Sequence, residues 1–216
     1  MKPIHQCYLY AFIDTTYVPE HLITDTTKKL CDGGADIIQL RAKGLPKNKI
    51  HVIAEQILPI LSNNNIPLVI NDHIDIAKAI RAQYCHLGQE DFFDAGFKHV
   101  SELPLNDTAI QIGLSSHCPN QAIRAIEAGA CYLGVGPVFK TPTKPEATLA
   151  TLDYVRWARA NIQIPWFAIG GITLENLDSV LEAGARRICV VSAILKASDI
   201  SKACAAFKNK LTSAKT

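Results

Sequence analysis

The sequence predicts an α/β fold, a (β/α)8 TIM barrel forming a single domain over residues 1–216, and three observations carry that expectation. Eight short apolar runs rich in β-branched residues recur along the chain, each bounded by Gly, Asp, Asn or Pro. Segments long enough for a crossover helix separate most of them. Three of those segments end alike, in Gly33-Gly34-Ala35, Gly129-Ala130 and Gly184-Ala185, just ahead of an apolar run. Alternating strands and helices with a repeating βα unit fit a closed parallel barrel better than the alternative, an open sheet of six strands.

The runs cover residues 8–13, 36–40, 67–70, 84–87, 110–114, 131–135, 166–169 and 187–191. They are continuously apolar rather than alternating, the pattern of strands buried on both faces. Helices are expected over 21–32, 47–63, 74–82, 120–128, 151–160, 174–183 and 200–211. The segment 92–107 is the weakest, because Gly96 and Pro104 break any helix there. Gly just past a helix end supplies the left-handed cap that turns the chain into the next strand. The stretches Ile126-Glu-Ala-Gly-Ala-Cys-Tyr-Leu-Gly-Val135 and Leu181-Glu-Ala-Gly-Ala-Arg-Arg-Ile-Cys-Val190 are near copies of that unit.

Composition narrows the function classes. With 48% hydrophobic and 19% charged residues and a net charge of +2, neither disorder nor a nucleic-acid footprint is expected. No apolar run approaches the roughly 18 residues of a membrane span, so no membrane partner is expected either. Seven cysteines, an odd number without a C-x-x-C pair, suit a reducing cytoplasm. The start MKPIHQCYLYAFID is interrupted by Asp14 and lacks a cleavage-type site, so a cytoplasmic location is the expectation. Nothing in the sequence points to an oligomeric state.

In a barrel the active site gathers at the C-terminal ends of the strands. Those positions are polar here: Gln39, Arg41 and Lys43; Asn71 and Asp72; His86 with Gly88-Gln-Glu-Asp91; Ser115, Ser116 and His117; Lys140 to Lys144; Gly170-Gly171; and Val191-Ser192. Singly, each has an ordinary explanation. Arg41 and Lys43 could be an exposed strand end, Asp72 could cap a helix, and Gly170-Gly171 could be a tight turn. Together they would share one rim. Gly170-Gly171 and the backbone near Ser192 suit a phosphate held by bare N–H groups. Arg41, Lys43 and Lys144, with the Thr141 and Thr143 hydroxyls, suit a second and more highly charged phosphate. Asp72 and Asp91 are hard oxygen ligands suited to Mg²⁺. Two anion pockets imply two phosphorylated substrates, or one with phosphates at both ends.

The motifs Gln39-Leu-Arg-Ala-Lys43, Val69-Ile-Asn-Asp72, His86-Leu-Gly-Gln-Glu-Asp91, Gly113-Leu-Ser-Ser-His117, Gly134-Val-Gly-Pro-Val-Phe-Lys-Thr-Pro-Thr-Lys144, Ala168-Ile-Gly-Gly-Ile172 and Val190-Val-Ser-Ala-Ile194 resemble those of thiamine-phosphate synthases, in the same order along the chain. The resemblance implies a TIM barrel that joins an aminopyrimidine methyl pyrophosphate to a hydroxyethylthiazole phosphate, both small molecules, with release of pyrophosphate. It implies that Gln39, Arg41, Lys43, Asn71, Ser115 and Lys144 bind the pyrimidine pyrophosphate, with Leu40, Ala42 and His86 also among the substrate-binding residues. Thr141, Pro142, Thr143, Gly171, Val191 and Ser192 would hold the thiazole phosphate, and Asp72 and Asp91 would bind Mg²⁺. Arg41, Lys43, Lys144 and Ser115 would be the catalytic residues.

Three departures from the family pattern stand out. Ala42 replaces the usual Glu, Thr151-Leu152 stands where a Gly-Leu pair is usual, and the first strand ends Phe12-Ile-Asp14 rather than in Thr-Asp. A thiazole tautomerase of similar barrel, using a His such as His117, is the nearest alternative, and a non-catalytic thiazole-phosphate binder the next. The Asp72 and Asp91 pair favours the synthase, since a tautomerase has no pyrophosphate to neutralise.

Overall fold

A computed structural model of the chain describes residues 1–105, 109–141 and 150–213. Eight parallel strands, β1 (Leu9–Asp14), β2 (Ile37–Arg41), β3 (Leu68–Asn71), β4 (Tyr84–Leu87), β5 (Gln111–Ser116), β6 (Tyr132–Val135), β7 (Trp166–Ile169) and β8 (Ile188–Val190), close into a barrel in chain order. β1 pairs with β8 through Leu9 opposite Ile188 and Tyr10 opposite Cys189, which completes the ring. Each strand lies within two residues of its expected bounds.

The continuous apolar runs have the cause the sequence suggested. Alternate residues of each strand face opposite ways, and here both sides are covered. Leu9, Ala11, Ile13, Ile38, Leu40, Leu68, Ile70, Leu133 and Val190 point outward into the layer beneath the helices. Tyr10, Phe12, Ile37, Val69, Tyr84, Tyr132, Phe167 and Cys189 point inward and fill the barrel. A Cβ on Gly113 would lie 2.1 Å from the Tyr132 ring, so the missing side chain on β5 is what admits that ring.

The outer helices are α1 (Ile23–Asp32), α2 (Lys47–Asn63), α3 (Ile74–Ala79), α4 (Pro119–Glu127), α5 (Thr151–Asn161), α6 (Leu177–Glu182), α7 (Ser192–Leu195) and α8 (Ile200–Ser213). α3 and α6 are shorter than expected. The short α7, directly after β8, was not expected at all. The weak segment after β4 forms a π-helical turn at Glu90–Asp94 and a 3-10 turn at Val100–Glu102. Phe92 is fully buried in it, and the Arg124 guanidinium of α4 lies 3.8 Å from the Phe93 ring centre.

Thr151 opens α5 with φ of 59°, in the left-handed region. Glycine meets no Cβ penalty there, whereas a β-branched residue does. The departure from the usual Gly-Leu pair therefore places a side chain where the backbone prefers none, offset among the described residues by a 3.3 Å hydrogen bond from the Asp153 N–H to Thr151 Oγ1. Thr151→Gly is expected to raise stability by about 1 kcal/mol, read as a higher urea midpoint. A lower midpoint would mean that this hydrogen bond outweighs the strain.

Candidate active site

A cavity of about 260 Å³ opens at the C-terminal end of the barrel. Its walls are built by strand alternation. Tyr10 and Phe12 come from β1, Gln39 and Arg41 from β2, Asn71 from β3, His86 from β4, Ser115 from β5, and Tyr132 and Gly134 from β6. His117 lines it just past β5, and Lys140 and Thr141 from the loop after β6. Gly170, Gly171 and Thr173 follow β7, and Val191 and Ser192 follow β8.

The contiguous stretch 39–43 divides by parity. Gln39 and Arg41 face the cavity, whereas the Leu40 and Ala42 side chains are buried in the outer apolar layer. The Leu40 and Ala42 side chains therefore point away from the cavity, so any part these two residues take in binding substrate falls to their backbone. It also accounts for the Glu-to-Ala departure, since position 42 presents nothing to the cavity. Arg41 donates from Nη1 to Asp14 Oδ2 at 2.7 Å, and the Asp14 side chain is fully buried. Asp14, the end of the first strand, thus holds the Arg41 guanidinium, a contact its place in the sequence does not show. Its only signal was a charged residue ending an otherwise apolar run.

At one edge of the mouth lie the two carboxylates. Asp72 has φ of 63°, accepts from Asn71 Nδ2 at 2.6 Å and lies 3.4 Å from the Lys43 ammonium. It does not cap α3, whose N-cap is His73 with no side-chain cap bond. Burial pushes its carboxyl above the ordinary range, Lys43 pulls it back, and the neighbouring Asp91 pushes it up again. A Cβ on Gly88 would come within 2.9 Å of Asp91 Oδ2 and 3.0 Å of Glu90 Oε2, so the bare backbone there leaves room for these acids to converge.

The opposite wall is backbone. Gly170 and Gly171 have φ of 102° and 64°, and a Cβ on either would lie within 2.5 Å of the chain after β6. Asn176 braces the turn, donating from Nδ2 to the Gly171 carbonyl and accepting from the Thr173 N–H, both at 2.8 Å. The Gly pair is thus a tight turn, and it also forms the cavity wall next to Val191 and Ser192 at the start of α7. Asn176 lies five residues beyond Gly171 in a run that reads only as a helix start.

Pro142, Thr143 and Lys144 lie outside the described residues. The described residues of the site are brought to one rim, with Gln39, Arg41, Asn71, His86, Ser115, Thr141, Gly171, Val191 and Ser192 on the cavity and Lys43, Asp72 and Asp91 at its edge.

The model of the family described as thiamine monophosphate synthase matches residues 9–194. The chain belongs to this family. It is 44% identical over 188 residues to a thiamine-phosphate synthase of Thermus thermophilus, covering 87% of this chain and 88% of that one. The thiamine-phosphate synthase of Halalkalibacterium halodurans is 37% identical over 204 residues, covering 94% of each. Among solved structures, a thiamine phosphate pyrophosphorylase from Pyrococcus furiosus superposes with a TM-score of 0.86 at 28% identity, covering 99% of each chain. Thiamine monophosphate synthases act on small molecules, and among the described residues of this one no helix is long and apolar enough to cross a membrane.

Two further residues line the cavity without any motif to mark them in the sequence. Tyr10 and Tyr132 sit at the cavity floor, each about 1% exposed, with their hydroxyls 3.1 Å apart. A tyrosine within an apolar run reads as core, and the hydroxyl's destination is fixed only when the barrel closes.

Proposed function

We infer that the chain is a thiamine-phosphate synthase that joins an aminopyrimidine methyl pyrophosphate to a hydroxyethylthiazole phosphate. The observation that carries this reading is the two-ended cavity, with a glycine-lined backbone wall on one side and Arg41 beside a carboxylate pair on the other. Backbone N–H groups at Gly171, Val191 and Ser192 suit a monophosphate. Arg41 and Lys43 suit the pyrophosphate, to which Lys144 would add positive charge, and Thr141 and Thr143 would supply hydroxyls to the thiazole phosphate.

Asp72 and Asp91 fit Mg²⁺: two hard oxygen donors converge beside a bare glycine, and among the described residues the Lys43 ammonium, 3.4 Å from Asp72, offsets only part of their negative charge. When bound, Mg²⁺ supplies neutralisation of the pyrophosphate charge. Arg41 is held by Asp14 so that its remaining N–H groups face the cavity, where they stabilise charge as it develops on the leaving oxygen. The methylene carbon–oxygen bond breaks with its electron pair going to pyrophosphate, and the electron-rich aminopyrimidine stabilises the cation left behind. The thiazole nitrogen lone pair then forms the new carbon–nitrogen bond. No proton changes hands, so the protein's work is positioning and charge stabilisation. His117, on which the tautomerase alternative rests, shares its Nδ1 with the Gly136 carbonyl, and that alternative leaves the carboxylate pair without a task.

Incubation with both substrates and Mg²⁺ is expected to yield thiamine phosphate, detected by chromatography, and EDTA is expected to abolish it. Absence of product with both pure substrates and Mg²⁺ would overturn the reading.

A further inference from the structure

Five polar side chains form a continuous line across the cavity floor, from one wall of the barrel to the other. Gln39 Nε2 on β2 donates to Tyr10 Oη on β1 at 2.7 Å, and Tyr10 Oη lies 3.1 Å from Tyr132 Oη on β6. Tyr132 Oη lies 3.1 Å from His86 Nδ1 on β4, and His86 Nε2 lies 3.0 Å from Ser115 Oγ on β5.

Each phenol hydroxyl has one hydrogen to give. Burial pushes both tyrosines well above their ordinary range, so neither hydroxyl gives its hydrogen up to solvent. The direction of the line follows from its first bond. Tyr10 accepts from Gln39, so its own hydrogen is directed to Tyr132. Tyr132 in turn directs its hydrogen to His86 Nδ1. An Nδ1 that accepts leaves the ring N–H on Nε2, which donates to Ser115 Oγ. The Ser115 hydrogen is then left to point at an acceptor on the ligand. Run in the opposite sense, with the Gln39 amide turned over, the same line would spend the Ser115 hydrogen on His86 and offer the ligand only lone pairs.

We propose that the Tyr10–Tyr132 pair is a positioning device that relays the polarity given by Gln39 along this line, holding His86 as the neutral Nε2–H tautomer so that Ser115 meets the pyrimidine pyrophosphate as a hydrogen-bond donor. The identity of that ligand rests on the synthase reading; the polarity of the line does not. With one Gln39 N–H given to Tyr10, the amide keeps its carbonyl and second N–H as a donor–acceptor edge, the pattern an aminopyrimidine offers in complement. Neither tyrosine needs to touch the substrate to do this. Hydrogen-bonded lines in a low-dielectric interior act as units, so cutting one link disorders both ends.

The test uses the tyrosine-to-phenylalanine variants of the whole protein, which keep the ring packing of Tyr132 against Tyr84 and Phe167. Nitrogen-15 NMR of the histidine rings, with His86 assigned by its loss in His86→Gln, is expected to find Nδ1 unprotonated and Nε2 protonated in the ligand-free wild type at pH 8. Tyr132→Phe is expected to convert this to a mixture of tautomers. It is also expected to lower kcat/KM for the pyrimidine pyrophosphate about tenfold, the effect of one buried hydrogen bond, while KM for the thiazole phosphate stays within about twofold. Tyr10→Phe should do the same, and the double variant should lose no more than about the worse single one, because both cut one line. A wild-type His86 protonated on Nδ1, or an unchanged tautomer in both variants, would overturn the proposal. So would equal losses for the two substrates, which would mark the tyrosines as packing alone. If Tyr132→Phe fails to fold, Tyr10→Phe carries each measurement. If the wild type makes no thiamine phosphate, the synthase reading fails, while the ligand-free tautomer measurement still decides the polarity.

Discussion

Asp72→Asn is expected to lower turnover by about 10³-fold at fixed Mg²⁺, the scale of losing a principal charge-stabilising interaction in a transition state, while the affinity for the thiazole phosphate stays within about twofold. The backbone makes this substitution a clean test. Asp72 holds φ of 63°, and Asn is among the few residues that tolerate that region, so the turn after β3 keeps its shape. The amide oxygen can still accept from Asn71 Nδ2. What the variant loses is the charge. The Mg²⁺ concentration for half-maximal rate should rise. The raised carboxyl adds a pH signature. A proton competes with the cation for a carboxyl whose protonation begins above the ordinary range, so the wild type should need more Mg²⁺ as pH falls toward that value, and Asp72→Asn should lose this dependence. Equal loss of turnover and thiazole phosphate affinity would show that Asp72 serves only the turn.

Much of the fold was legible in the sequence because the barrel's constraints are local and repetitive. A strand buried on both faces has to be apolar throughout, and the runs ending at Leu87 and Ile169 give their strand bounds without any knowledge of neighbours. The Gly-Ala turns mark helix ends for the same reason, since the left-handed residue Gly129 or Gly184 is a local requirement. α7 escaped because four residues, Ser192–Leu195, are too few to display a helical period. The short α3 and α6 share that limitation: their flanking turns carry the same residues as a helix would.

The rim was legible where chemistry demands a residue type at a strand end, and illegible where a partner comes from elsewhere in the chain. Arg41 stood out, but its counter-ion Asp14 precedes it by 27 residues and became a neighbour only through the pairing of β1 with β2. Parity was legible in principle, since Leu40 and Ala42 alternate with Gln39 and Arg41, yet a motif read as a block conceals it. Asn176 and the two tyrosines are the harder cases. Their roles depend on where one atom ends up, and nothing in residue type separates a tyrosine that fills a barrel from one that also orders a histidine.

The N-terminal end of the barrel yields the largest expected effect on stability. Asp36 is 2% exposed and accepts from the Tyr8 and Leu9 N–H groups at 2.9 and 3.0 Å, while the ammonium groups of Lys2 and Lys208 both pair with its carboxylate. One side chain thus ties together the chain start, the entry to β1, the entry to β2 and α8. Asp36→Ala is expected to cost about 3–5 kcal/mol, because it removes the acceptor of the buried Leu9 N–H, of the half-buried Tyr8 N–H and of two converging ammonium groups. The sign with pH follows from the carboxyl itself. Burial would raise it, but Lys2, Lys208 and the two N–H groups outweigh burial and hold it below the ordinary value. A depressed folded-state value means that the contribution is complete above the unfolded carboxylate range and is lost as pH falls through the folded value. Wild-type stability should therefore decline on acidification, and Asp36→Ala should show a flatter acid limb as well as a lower plateau at neutral pH. Urea midpoints at several pH values check both. Parallel acid limbs for the two proteins would mean that the Asp36 carboxylate is not what acid releases. Because this cluster lies at the end of the barrel away from the cavity, kcat at a temperature where the variant is folded should stay close to that of the wild type, separating what holds the barrel together from what it does.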